Sequence, residues 1–187
     1  MRRKDREMSR EFGIEVIDRA DYGVVSMIDE NNEPYGIPLS IVRDGGNLYF
    51  HSALSGKKVD IFEKGHRVSV SFAGQIKVPE IYSKEELNGI MEDKSAAGVL
   101  SSKVFTTEYE SSLVKGTIVP VEDEQEKLRA IKLICEKYAP TKMEYFNLAV
   151  ESGLQIVNIY KIEIEELTAK RKKFDAHGEE LKWGRME

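Results

Sequence analysis

The chain has 187 residues, 41% of them hydrophobic, which is enough for one domain with a sizeable core. A net charge of −5 at pH 7 argues against a general nucleic-acid-binding protein. Three His and one Cys exclude both a clustered zinc or iron–sulfur site and an internal disulfide, so we expect no metal and a reducing, cytoplasmic location. We expect no membrane span or signal peptide, because acidic residues interrupt the stretch after the basic start.

The first part of the chain predicts one helix followed by closely spaced strands. Phe12 and Val16 share one face of a helix within residues 1–20. Apolar, β-branched runs separated by turn compositions then predict three strands joined as an antiparallel meander, a short helix and a fourth strand. The predicted strands are residues 22–28, 35–42, 48–52 and 67–72, and the short helix is residues 57–63.

In the second part of the chain, a helical insertion over residues 75–104 is predicted between two strands. Ser83 and Glu86 form a possible capping box within it. Asp123 begins another helix, and Trp183 lies in a polar tail over residues 171–187. We predict the remaining strands at residues 105–119 and 155–164. Mostly antiparallel strands with helices between them predict a single domain over residues 1–187 that forms a small closed or split β-barrel.

The segment from Asn47 to Lys58 reads as a strand, a small-residue loop and the start of a helix. A helix start offers unpaired N–H groups, Gly56 permits close approach of an anion, and Lys57 and Lys58 add positive charge. These features predict a phosphate site, with an ordinary turn and a solvated Lys pair as the alternative. A triphosphate P-loop is excluded, because His51 replaces its first Gly and Lys58 its hydroxyl residue.

The sequence resembles the flavin-binding split-barrel family related to pyridoxamine 5'-phosphate oxidase, and within it the branch associated with nitroimidazole resistance. The resemblance rests on short motifs that occur in the right order along most of the chain. They are residues 1–6, 34–40, 49–53, 56–58 and 109–112, with Gly116. Residues 75–104 are longer than the usual connection in that branch.

The resemblance implies a homodimer that holds FMN at the interface between subunits. Residues expected to bind the flavin phosphate are Ser52, Ser55, Gly56, Lys57 and Lys58. Residues expected along the flavin ring and its ribityl chain are Pro38, Leu39, Ser40 and His51. Residues expected from the second subunit are Thr107, Ser111 and Ser112. For His51 and for these last hydroxyls, an ordinary structural role remains an alternative.

An FMN-dependent oxidoreductase is the function that the resemblance implies, with a reduced nicotinamide as donor and a nitroaromatic or quinone as acceptor. No pair of carboxylates stands in a context that marks acid–base catalysis, so no catalytic residue is identified. A pyridoxamine 5'-phosphate oxidase proper is less well supported, since no second phosphate-binding cluster accompanies the flavin motif. A non-catalytic flavin or haem binder or sensor is the other alternative, because the imidazole of His51 is a common haem ligand.

Overall fold

The computed structural model of the protein describes residues 2–62, 65–92 and 97–182. Trp183 lies outside the described residues, as do residue 63 of the predicted short helix and residues 93–96 of the predicted insertion. The chain forms two compact units. We call Ile17–Phe72 with Leu113–Leu167 the large unit, and the rest of the described chain the small unit.

The described residues form nine strands and six α-helices, with short 3₁₀ or π turns beside several of them. The strands are β1 (Glu7–Met8), β2 (Gly23–Ile28), β3 (Pro34–Leu39), β4 (Val42–Asp44), β5 (Asn47–Ala53), β6 (Arg67–Lys77), β7 (Glu108–Pro120), β8 (Val157–Glu163) and β9 (Glu166–Lys172). The helices are α1 (Arg10–Arg19), α2 (Lys57–Phe62), α3 (Lys84–Glu92), α4 (Ala97–Val99), α5 (Glu124–Tyr138) and α6 (Phe146–Gly153). Within the described residues, no helix is long and apolar enough to cross a membrane.

The strand order in the large unit is β3-β2-β6-β7-β8-β5-β4. The predicted meander is therefore wrong, since β2 pairs with β3 and β4 pairs with β5, but β3 and β5 are not neighbours. The single strand predicted over residues 35–42 is two strands, which break at Ser40 and Ile41. Pro38 lies on β3 at the sheet edge, where its missing N–H costs no ladder hydrogen bond.

Tyr138, in the last turn of α5, stabilises this break. Its hydroxyl accepts a hydrogen bond from the Ile41 amide at 2.9 Å and donates one to the Ile41 carbonyl at 2.8 Å. Ile41 is fully buried, so its amide depends on the Tyr138 hydroxyl, whereas its carbonyl also accepts from the Lys137 ammonium at 3.1 Å. The side-chain hydroxyl thus replaces a strand partner where the chain passes from one hairpin to the next.

Replacing Tyr138 by Phe is expected to lower the free energy of unfolding by about 1–3 kcal/mol, because the buried Ile41 amide loses its acceptor, while the Ile41 carbonyl keeps Lys137 as a donor. Denaturant unfolding followed by circular dichroism measures the change. Tyr145→Phe is the matched control, because Tyr145 is exposed. Equal stability of Tyr138→Phe and the parent would contradict a structural role for this hydroxyl.

Both faces of β5 and β8 are covered in the large unit. On one face, Phe50 and Tyr160 stack with ring centroids 5.6 Å apart, and Phe62 of α2 packs edge-on against both. On the other, the buried Tyr49 donates a hydrogen bond to Glu126 of α5 at 2.8 Å. Helix α2 is therefore anchored at its C-terminal end, which leaves its first turn at the surface.

Both predicted helix starts are confirmed. Asp123 accepts a hydrogen bond from the Glu126 amide at 2.7 Å. Ser83 and Glu86 make the reciprocal pair of a capping box, at 3.2 and 2.7 Å. The insertion begins later than expected, because β6 continues to Lys77 instead of ending at residue 72.

The small unit contains β1 and β9, which pair antiparallel with Glu7 opposite Lys170. Strand β9 was not predicted, because most of its residues are polar and only Ala169 is fully buried. A tight turn follows it, in which Asp175 accepts hydrogen bonds from the amides of His177 and Glu179, both at 2.9 Å. The part of the predicted tail that is described is thus ordered by backbone hydrogen bonds.

Candidate functional site

The first turn of α2 places Lys57 and Lys58 at the surface of the large unit; we call them the α2 cation pair. Gly56 precedes them with φ of 123°, a conformation that favours glycine. The Gly56 carbonyl accepts from the Val59 amide at 2.7 Å, which closes the first turn. The sequence folds here as predicted, into a strand, a small-residue loop and a helix.

Asp29 binds Lys57 directly, which the sequence did not reveal. The side chain of Asp29 is only 3% exposed, and its carboxylate lies 3.0 Å from the Lys57 ammonium. The same carboxylate accepts from the amides of Asn31 and Glu33 at 2.9 and 3.0 Å. These backbone hydrogen bonds, the one from Glu33 first, and the bond from Lys57 lower the pKa of Asp29, so it is charged at neutral pH.

Tyr35 of β3 lies against the same ammonium, with the Lys57 nitrogen 5.2 Å from the ring centroid. Asp29 and Tyr35 thus fix the direction of the Lys57 side chain, although that side chain is 62% exposed. An ammonium has three donors, so Lys57 retains the capacity to bind an external anion while it contacts Asp29. The β2–β3 hairpin and the start of α2 meet at this point.

Two concave surfaces adjoin the α2 cation pair. A cavity of about 320 Å³ lies beside Lys57. Its lining residues are Asp29, Glu30, Asn31, Lys57, Asp60, Ile61 and His66. An open groove of about 620 Å³ runs along β2, β3 and β6. This groove includes Tyr35 and Gly36 from the first half of β3. Of the predicted ring contacts, Pro38 and Leu39 lie on the second half of β3 and Ser40 directly follows it, and the groove lining does not include these three residues.

His51 and Ser52 point to opposite faces of β5. The His51 side chain is exposed, whereas Ser52 is 2% exposed and shares its face with the buried Phe50. Within the described residues, the Ser52 hydroxyl has no hydrogen-bond partner. The two side chains therefore cannot approach one ligand from the same side of the strand, and Ser52 is the residue with an unused hydroxyl.

The remaining predicted ligands are divided between the units. Ser55 and Gly56 are exposed in the loop before the α2 cation pair. In the small unit, Thr107 lies just before β7, and Ser111 and Ser112 lie within it. Ser112 is 1% exposed, and its hydroxyl has no partner among the described residues.

Although the His51 side chain is exposed, partial desolvation by its surroundings lowers its pKa below the ordinary value of 6.5, and the nearby Lys58 ammonium lowers it further. The neutral imidazole is therefore the form that folding favours. Because the unfolded chain binds the proton more tightly, the protein loses stability as the pH falls below 6.5 and through the lower pKa of His51 in the folded state.

We expect the titration midpoint of His51, followed by NMR of its ring protons, to lie below 6.5. Lys58→Gln should raise this midpoint by removing a nearby positive charge, but partial desolvation should keep it below the ordinary value. Lys142→Gln is the control, since Lys142 is an exposed residue elsewhere in the large unit. An unchanged midpoint in Lys58→Gln would show that the charge of Lys58 does not affect the pKa of His51.

Within the described residues, no group of three or more His, Cys, Asp and Glu side chains is placed to hold a metal ion. The candidate site is a pair of cations, Lys57 exposed and Lys58 half-buried, at the start of α2 beside two concave surfaces. The two ammonium groups suit an anionic group of a ligand, and the concave surfaces suit the rest of the ligand molecule.

A family profile described as pyridoxamine 5'-phosphate oxidase matches residues 9–171. No curated protein matches the chain. Similar solved structures include a proposed 5-nitroimidazole antibiotic resistance protein from Bacteroides thetaiotaomicron, with a TM-score of 0.65 and 20% identity over 88% of this chain and 86% of that one.

Two further structures are described as flavin-binding proteins. The FAD and heme binding protein of Mycobacterium smegmatis has a TM-score of 0.68 and 15% identity, over 89% of this chain and 73% of its own. A FAD-binding protein of Mesorhizobium loti has a TM-score of 0.57 and 16% identity, over 90% and 98%. At these identities the likeness concerns the fold, and the predicted split-barrel class, mainly antiparallel β with flanking helices, is confirmed.

Proposed function

Because the chain belongs to the pyridoxamine 5'-phosphate oxidase family, we propose that it is a flavoprotein oxidoreductase that binds FMN at the α2 cation pair. The observation that supports this most is the position of Lys57 and Lys58, at a helix start next to a Gly with φ of 123°. A flavin 5'-phosphate is a dianion, and two ammonium groups match its charge.

The fit extends beyond the two lysines. Ser55 and Gly56 offer a hydroxyl and a backbone without a side chain next to the pair. The unpartnered hydroxyl of Ser52 is a further donor, provided that the ligand reaches the inner face of β5. Tyr35 in the adjoining groove offers an aromatic wall for an apolar ring.

FMN, when bound, would supply two-electron redox chemistry between a reduced nicotinamide as donor and a quinone or a nitroaromatic such as a nitroimidazole as acceptor. The protein would supply binding and orientation. Asp29 would hold Lys57 in place. His51 lies on the face of β5 opposite Ser52, so a flavin on that face would contact His51 and not Ser52. The His51 imidazole, whose pKa is lowered by desolvation, would be a neutral hydrogen-bond donor or acceptor there.

The cofactor released by denaturing the purified protein tests the proposal. We expect one flavin per chain with the mass of FMN. If the released cofactor had the mass of FAD, the flavin proposal would stand, with FAD in place of FMN as the cofactor. FAD is the flavin named for the Mycobacterium smegmatis and Mesorhizobium loti proteins. A chain that neither retains nor takes up any flavin would contradict it.

Turnover needs a separate test. Under anaerobic conditions, a reduced nicotinamide should bleach the flavin absorbance, and a quinone or nitroaromatic should restore it. Bleaching by dithionite but never by a nicotinamide would instead favour a flavin-storing or flavin-sensing role. The acceptor that restores absorbance fastest would indicate the substrate class.

We also propose that the protein is a homodimer, with the flavin at the interface and Thr107, Ser111 and Ser112 supplied by the second subunit. Large apolar side chains are exposed in both units and would gain from being covered. The most exposed are Met91 and Phe105 in the small unit and Leu148 and Ile156 in the large unit. Light scattering should give twice the chain mass at micromolar concentration; a monomer with bound flavin would contradict this proposal.

A haem-binding or sensor protein is the second candidate function. It is favoured by His51, whose exposed imidazole is neutral at pH 7 and therefore able to ligate iron. The absorbance of the purified protein distinguishes the two candidates. A Soret band that disappears in His51→Gln would support haem, and a flavin spectrum without one would exclude it.

A further inference from the structure

Two basic segments at opposite ends of the sequence meet in the small unit. The pairing of β1 with β9 brings the N-terminal segment beside Lys170. The turn after β9 then reverses the chain, with Phe174 bridging Glu180 and the Leu181 amide bonded to the Lys173 carbonyl at 2.8 Å. The residues around Glu180 thereby return to the N-terminal arginines.

Arg6 and Glu180 form the centre of this arrangement. The Arg6 guanidinium donates to the Glu180 carboxylate at 2.5 Å, with both side chains less than one-fifth exposed. Arg3 and Lys182 approach the same carboxylate at 3.8 and 3.6 Å. Three cations thus surround one carboxylate. Arg3 is also paired with Asp5, its neighbour in the chain.

Lys172 adds a fourth cation. Its ammonium contacts the Thr106 hydroxyl and lies 5.3 Å from the centre of the Phe174 ring. Burial lowers the pKa of Lys172, as do the positive charges of Arg6, Arg3 and Lys182, whereas Glu180 opposes this effect. An ammonium in such surroundings would be stabilised by an additional anion.

The charges of this group do not cancel. Four cations (Arg3, Arg6, Lys172 and Lys182) face two carboxylates, Asp5 and Glu180, which leaves an excess of two positive charges. The neighbouring Lys77 and Glu108 form a pair of their own at 3.3 Å, and the other charged residues beside Lys172 are Arg171, Lys173 and Glu110. These neighbours do not reduce that excess, because their cations outnumber their carboxylates.

We propose that these four cations, which we call the terminal basic cluster, form a binding site for a phosphate monoester. A phosphate monoester dianion balances an excess of two charges, whereas a single carboxylate balances only half of it. Arg6 and Arg3 supply guanidinium donors, and Lys172 and Lys182 supply point charges. This proposal concerns a site in the small unit and does not depend on the flavin proposal.

A cavity of about 60 Å³ lies beside Lys172, the one member of the cluster that lines it. Two carboxylates and three further cations line it as well; its other lining residues are Gln75, Lys77, Glu108, Tyr109, Glu110, Arg171 and Lys173. A cavity of this size holds only a small group, so the remainder of a ligand would extend into solvent. Tyr109 also hydrogen-bonds to Arg6, which joins the cavity wall to the cluster. The site would therefore bind the phosphate group and accept different organic groups esterified to it.

Calorimetric titration of the full-length protein, as purified, with inorganic phosphate and with glycerol 3-phosphate tests the proposal. We expect one saturable site per chain for both, and no comparable binding of acetate. In NMR spectra, the amides of Lys172 and Phe174 should shift during the same titration. Lys172→Met combined with Lys182→Gln should weaken binding by about tenfold or more, because two charge-assisted contacts are lost while Arg6 and Glu180 stay paired.

Lys142→Met is the matched control, and Lys172→Arg should restore most of the affinity if charge is what matters. Circular dichroism and thermal unfolding verify that the variants fold. Equal phosphate affinity in the parent and the double variant would overturn the proposal, as would no saturable binding in the parent. A third result would also overturn the proposal: the Lys57→Ala, Lys58→Ala variant loses phosphate binding, and the Lys172 and Lys182 variant keeps it. Phosphate would then bind at the α2 cation pair.

Discussion

Replacing both Lys57 and Lys58 by alanine is expected to weaken cofactor binding by about two to four orders of magnitude, since each charge-assisted contact contributes about 1.5–3 kcal/mol. The physical reason is the loss of the two ammonium groups proposed to neutralise the flavin phosphate. Fluorescence of the released flavin, measured against protein concentration, gives the occupancy of parent and variant. Each single variant should lose part of the affinity.

The contact between Lys57 and Asp29 makes a control necessary. Removing Lys57 also leaves the Asp29 carboxylate, 3% exposed, without its cation, which could disturb the β2–β3 turn. Asp29→Asn keeps an acceptor for the amides of Asn31 and Glu33 but removes the charge. Combined with Lys57→Ala, it should restore stability without restoring cofactor affinity.

Lys58→Ala offers an independent measurement, because Lys58 is not the partner of Asp29. If the double lysine variant kept full flavin occupancy, the phosphate assignment would be wrong. If Lys57→Ala lost flavin but regained it with Asp29→Asn, Lys57 would act on the turn and not on the ligand. The two results therefore separate binding from folding.

Local signals in the sequence predicted the structure well where a short segment determines it. The strand, loop and helix from Asn47 to Phe62 are as expected, because the apolar strand residues, the small-residue loop and the Gly56 turn are local signals. The starts of α3 and α5 were predicted from their capping residues, whose hydrogen bonds span only three positions in the chain. The mainly β class follows from the same short patterns.

Errors arose where distant residues decide the outcome. The break at Ile41 depends on the Tyr138 hydroxyl, 97 positions away, and local composition does not reveal that bond. Strand β9 contains mostly polar residues, and its pairing with β1 joins segments more than 160 positions apart in the chain. Neither contact leaves a pattern within a single stretch of sequence.

The candidate site was predictable in part for the same reason. The α2 cation pair was identified from the sequence and lies at the surface as expected. Asp29 was interpreted only as part of a turn, although an Asp at the start of such a turn often bonds the backbone that follows it. Its contact with Lys57 is tertiary. The roles assigned to His51 and Ser52 remain predictions, with the added finding that the two point in opposite directions.

Gly116→Ala is expected to destabilise the protein by about 3 kcal/mol or more, because overpacking against rigid neighbours is costly. A Cβ at Gly116 would lie 1.9 Å from the Glu163 carbonyl oxygen and 2.9 Å from the Ile162 side chain. The first of these neighbours is backbone, so it cannot turn away as the end of a flexible side chain could. Strands β7 and β8 would have to separate locally.

The thermal midpoint of Gly116→Ala should accordingly fall by roughly 6–12 °C for a chain of this size. Gly89→Ala is the matched control, because no atom lies within 4 Å of the added Cβ and Gly89 is inside α3. The same substitution should there stabilise the protein by up to about 1 kcal/mol, since alanine favours a helix. If alanine lowers stability at position 116 and raises it at position 89, the loss at position 116 is due to the close approach of β7 to β8 and not to the replacement of a glycine in itself. A Gly116→Ala protein as stable as the parent would contradict that close approach.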